Sequence, residues 1–196
     1  MKYFAEIISF IFHPVIFFLI MPILIVSRYS QNSMSVLKWE AFSALFVAIA
    51  VTIVLIGRRR GIFSDCDLSK KEERYEFYFL ILIFGVIYIA VSLFFKGIFY
   101  PMSIIAVGIV FGIGIFDFLN RFVKTSNHVA VASAFTTAIF ILYGVYSFLI
   151  VSWIVPLLAW ARLRLRKHTI NEAIIGVILG IGIALLTFFV GRYMYK

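Results

Sequence analysis

Residues 129–161 form a run of 33 positions without a charged side chain. Only the hydrocarbon of a bilayer accommodates such a run, and there backbone N–H and C=O groups must be satisfied inside helices or closed barrels. A spanning helix takes about 20 residues. The run is therefore too long for one crossing and just long enough for two short ones, with the break expected near Gly144. Further apolar stretches cover residues 7–27, 37–57, 77–95, 99–119 and 173–191. They are continuous rather than alternating, which excludes an outer-membrane barrel. The expectation is an all-α, polytopic transmembrane bundle of six to seven membrane-spanning helices, forming a single integral membrane domain over residues 1–196.

Charged residues make up 14% of the chain and hydrophobic ones 64%, against roughly 25% charged in soluble domains. Cys66 is the only cysteine, so an internal disulfide and the common Cys-rich metal sites are excluded. The net charge of +9 first reports orientation and contact with anionic lipid, and nucleic acid is not an expected partner. With seven spans, thirteen of the 18 Lys and Arg side chains fall on the side of the N-terminus, and five (Arg28, Lys38, Lys96, Arg192, Lys196) on the other. The positive-inside rule makes the first side cytosolic, and the expected location is the cell (cytoplasmic) membrane. Lys2 and Glu6 precede the first apolar stretch and no small-residue cleavage site follows it, so that helix is expected to be retained. Gly108 and Gly112, and likewise Gly176, Gly180 and Ala184, recur every four residues and make small faces for helix packing.

Three polar clusters lie on the predicted cytosolic side, separated in each case by two spans. They are Asp65 to Arg74, Lys124-Thr125-Ser126-Asn127-His128, and Arg162 to Glu172. The third is the most informative. Glu172 follows His168 by four residues, one helical turn, so its carboxylate can reach the imidazole. A carboxylate on one ring nitrogen leaves the other free as a base or nucleophile. The surrounding guanidinium groups suit an oxyanion such as phosphate.

These residues resemble the type 2 phosphatidic acid phosphatase superfamily of membrane lipid phosphatases. One family motif is Ser-Arg, five residues, His, three residues, Asp; here Ala161-Arg162, five residues, His168, three residues, Glu172. A second is Pro-Ser-Gly-His; here Thr125-Ser126-Asn127-His128. A third is Lys, six residues, Arg-Pro, of which Arg74 survives, with Asp67 in the place of Lys and Tyr75 in the place of Pro. The resemblance covers about residues 67–185. It implies that His168 attacks phosphorus and forms a phosphohistidine, that Glu172 orients it, and that His128 protonates the leaving oxygen. It also implies that Arg162, Arg74 and Ser126 bind phosphate oxygens, with Lys71 and Lys124 standing in for the absent Lys. The implied activity is hydrolysis of an isoprenoid or glycerolipid phosphate or diphosphate, with a membrane lipid phosphate as substrate. Positioned cations offset the charge of a transferring phosphoryl group, so neither a metal nor another cofactor is expected.

Two other classes fit parts of the pattern. A lipid-binding or scaffold relative would keep the fold without turnover. A magnesium-dependent prenyl transferase would use Asp65 and Asp67, although such enzymes need two Asp-rich motifs. For the remaining polar residues, structural roles are expected. His13, next to Pro14, serves packing or a helix hydrogen bond; Arg58, Arg59 and Arg60 stop a span at the cytosolic edge; Asp117 pairs with Arg121; and Arg164, Arg166 and Lys167 mark the inside or meet lipid headgroups.

Overall fold

The computed structural model describes residues 1–68, 70, 72–94 and 100–194. The protein is 83% helical, without a strand among the described residues. Its helices are α1 (Lys2–Ile11), α2 (Pro14–Tyr29), α3 (Ser33–Arg59), α4 (Arg74–Phe94), α5 (Tyr100–Asn120), α6 (Asn127–Val151), α7 (Ile154–Arg164) and α8 (Ile170–Met194). Among the described residues, five stretches are long and apolar enough to cross a bilayer: Lys2–Tyr29, Ser33–Arg59, Arg74–Val91, Asn127–Val151 and Ile170–Tyr193. The chain is a multi-pass, lipid-contacting helical protein, as its charge-free runs require.

The first apolar stretch is interrupted at Phe12-His13. Pro14 has no N–H and cannot continue α1, but it is well suited to the first position of a new helix. His13 caps that helix, its Nδ1 accepting from the Val15 N–H at 3.3 Å.

The described residues form two compact units, Met1–Met21 with Thr125–Lys196, and Pro22–Lys124. In the second unit α4 packs on α5 and α3 on α4. The α3–α4 contact is aromatic: Phe42 and Phe46 lie 4.7 and 5.0 Å from the Tyr88 ring, and the Tyr88 hydroxyl is 3.1 Å from Ser43 Oγ. Asp117 and Arg121 pair at 3.3 Å. The polar linker before α4 is tied down locally. Glu73 accepts from the Ser64 N–H at 2.9 Å and from its hydroxyl at 3.0 Å, and Lys70 lies 3.4 Å away.

The Ser64 N–H, more than the hydroxyl or Lys70, holds the Glu73 carboxyl below the ordinary carboxylate range. A lowered folded-state pKa means that this tie is fully present above the ordinary carboxylate range and is lost as pH falls through the lowered value. The Ser64 amide resonance is expected to follow that protonation, with a midpoint below that of an unperturbed glutamate. A midpoint at or above the unperturbed value would refute the tie.

In the first unit α6 packs on α8, α1 on α7, and α7 on both α6 and α8. α6 and α8 start at the same end, because the Ser126 N–H donates to the Glu172 carbonyl at 3.2 Å. They run side by side through glycines. A methyl group on Gly176 would sit 2.8 Å from the Ser126 carbonyl oxygen. One on Gly180 would collide with the Ala130 carbonyl oxygen and lie 2.7 Å from Ser133 Cβ. Only glycine permits this backbone-to-backbone approach. Exposed large residues of α8, among them Ile174, Ile178, Ile181, Leu185 and Phe189, supply lipid-facing surface.

The end of α7 lies just ahead of α8, where the Lys167 N–H bonds the Arg162 carbonyl at 3.1 Å. The chain between His128 and Arg162 must therefore go down and come back. The helical dihedrals break at Gly144, where φ is 84° and ψ −176°, a conformation open to glycine and strained for other residues. The segment before it, residues 127–143, rises about 25 Å at 1.5 Å per residue, close to the hydrocarbon thickness.

Candidate functional site

Three helix ends in the first unit carry the candidate residues, and sequence-local features position each of them. Thr169 caps α8, its Oγ1 accepting from the Glu172 N–H at 3.3 Å. In a capping box the glutamate three residues on reaches back to the cap residue. Here the Glu172 carboxylate turns to His168 instead, with Oε2 at 2.6 Å from Nδ1. The His168 side chain is 2% exposed and that of Glu172 17%. A short charge-assisted contact to a buried ring fixes its orientation.

Ser126 occupies the N-cap position of α6, with extended φ and ψ, yet its hydroxyl makes no capping bond. That hydroxyl is buried and takes part in no hydrogen bond among the described residues. A buried hydroxyl that forgoes its cap needs an explanation, and a ligand oxygen supplies one. His128 follows two residues later, 4% exposed. Its ring meets that of His13 edge-on, with centroids 5.0 Å apart.

Arg162 closes α7. It is 1% exposed, and its Nη1 donates to Ser9 Oγ on α1 at 2.9 Å. A guanidinium this deep is costly unless surrounded by acceptors or anions. The adjoining N-termini of α6 and α8 add their positive dipole ends at the same level.

The structure thus ties Ser126, Arg162, His168 and Glu172 to one end of α6, α7 and α8, with His128 on the first turn of α6. Arg74 and Lys124 belong to the other unit. Arg74 opens α4, is 1% exposed, and its Nε donates to the Leu68 carbonyl at 2.9 Å. Lys124 is half-buried. Lys71 lies outside the described residues. Asp65 and Asp67 are half-buried in the linker before α4. Arg164 and Arg166 are exposed and Lys167 is half-buried.

Two residues near these groups carry no motif in the sequence, Ser9 and His13. His13 did have a signal, a histidine directly before a helix-starting proline. Ser9 had none. Comparison of the chain with protein-family models, curated proteins and solved structures finds no match in any of the three.

Proposed function

We propose that the protein is a metal-independent, integral-membrane phosphatase acting on an isoprenoid or glycerolipid phosphate or diphosphate. The observation that carries this reading is the 2.6 Å contact of Glu172 with a buried His168 on the same helix ends as buried Arg162 and the uncapped Ser126 hydroxyl. Substrate would lie with its tail among the apolar helices and its phosphoryl group at these ends.

His168 Nε2 attacks phosphorus with its lone pair. The bond from phosphorus to the lipid oxygen breaks, or the bridging bond in a diphosphate, and the leaving oxygen takes a proton from His128. Arg162 and Ser126 hold the non-bridging oxygens, whose charge is the main thing a phosphoryl-transfer site must offset. His128, now neutral, then takes a proton from water. The water attacks phosphorus, the phosphorus–nitrogen bond breaks, and inorganic phosphate leaves with His168 restored. The excess of Lys and Arg on this side supports a cytosolic site in the cell membrane.

The test is phosphate release from a panel of lipid phosphates and diphosphates in detergent, with a chelator present. Release that persists with the chelator supports the reading. No release from any lipid favours a non-catalytic lipid-binding protein, and activity only with magnesium favours chemistry at Asp65 and Asp67. Glu172→Gln keeps the shape but removes the charge that orients and stabilises the imidazole. It is expected to lower kcat by about 10²-fold or more while leaving KM within a few-fold. A kcat equal to that of wild type would remove Glu172 from the mechanism.

A further inference from the structure

We infer that Ser9, on α1, is a phosphate-binding and positioning residue of this site, so that the first helix is part of the binding machinery and not only of the membrane anchor. The inference rests on the phosphate-binding role proposed for Arg162.

Ser9 is 7% exposed and lies 153 positions from Arg162 in the chain, yet their side chains meet at 2.9 Å. Arginine has only donors, so the serine oxygen accepts and the serine proton points elsewhere. A serine inside a helix commonly donates to the carbonyl four residues back. Among the described residues the Ser9 hydroxyl makes no such bond, and the contact with Arg162 is its one side-chain hydrogen bond. The result is a buried hydroxyl, polarised by a guanidinium, with a proton to give. An oxyanion against the Arg162 guanidinium satisfies that proton, just as it satisfies the Ser126 hydroxyl on α6.

The packing places Ser9 there for a reason. α1 lies on α7, with Phe4 against Trp160 at 6.0 Å between ring centroids, and Ala5 and Ile8 buried on the same helix. Ser9 follows Ala5 by four residues and so shares its inward face. A polar residue at that position of a buried face is costly unless it has work to do.

The experiment is titration of the detergent-solubilised full chain with inorganic phosphate by calorimetry, using Ser9→Ala, Ser9→Thr and Ser9→Val beside wild type and Arg162→Ala. Threonine and valine have the same shape, so their difference isolates the hydroxyl. Hydrogen bonds to charged groups lose tenfold to about a hundredfold in affinity when one partner is removed. Ser9→Ala and Ser9→Val are expected to weaken phosphate at least about tenfold, with Ser9→Thr within a few-fold of wild type. If Ser9→Val and Ser9→Thr bind phosphate equally while Arg162→Ala loses it, the inference is wrong and the site stands. If the Ser9 variants lower the melting temperature but leave the phosphate Kd unchanged, Ser9 is a structural tie and the inference is wrong. If wild type binds no phosphate at all, the site reading fails and the inference with it.

Discussion

Replacing His168 with alanine is expected to abolish phosphate release, a fall of at least about 10³-fold in kcat, because it removes the atom proposed to attack phosphorus. The fold should survive. The cap of α8 comes from Thr169, and the packing of that helix comes from Gly176 and Gly180. The side chain left without its partner, Glu172, is partly exposed and can be solvated. The comparison therefore separates chemistry from folding: unchanged melting with lost release assigns the ring to the reaction. If His168→Ala releases phosphate at the wild-type rate, the phosphohistidine mechanism is refuted whatever the substrate.

The second large effect is structural. Gly180→Leu drives a side chain into the Ala130 carbonyl oxygen and against Ser133 Cβ and the Ala134 nitrogen. Overpacking typically costs about 1–3 kcal/mol, and here the obstruction is mostly helix backbone, which cannot rotate aside. Destabilisation at or above about 3 kcal/mol is expected, a drop of roughly 6–12 °C in Tm for a chain of this size. Gly182→Ala is the control. A Cβ at Gly182 meets nothing within 4 Å, so its Tm should stay within a few degrees of wild type. Equal losses at both positions would show that the glycine contact does not hold α6 to α8.

Much of this was legible because a bilayer leaves a chain few choices. Runs without charge had to be helices, residues 129–161 had to double back, and Gly144 was the residue able to break them. The four-residue spacing of His168 and Glu172 predicted a contact that the structure contains. Gly176 and Gly180 were recognisable as a small face. Ser9 was not legible, because a lone hydroxyl in an apolar helix ordinarily satisfies itself on its own backbone and no local spacing points 153 residues ahead. Ser126 was legible as a motif position, but its sequence context equally predicts an ordinary helix cap. Only the structure separates the two, by leaving the capping bond unmade.

The glycine contact also sets a ruler. α6 and α8 meet backbone to backbone, so their relative register is fixed in units of single residues, each worth 1.5 Å along the axis and 100° around it. His168 precedes Gly176 by eight residues and His128 precedes Ala130 by two. Inserting one alanine between Glu172 and Gly176 would swing Glu172 and the loop carrying His168 by about 100° while leaving Gly176 and Gly180 seated on α6. Such a protein would be expected to fold, sit in lipid and lose the proposed phosphate release, because the spacing of His168 and His128 is counted out in residues by a face that carries neither of them.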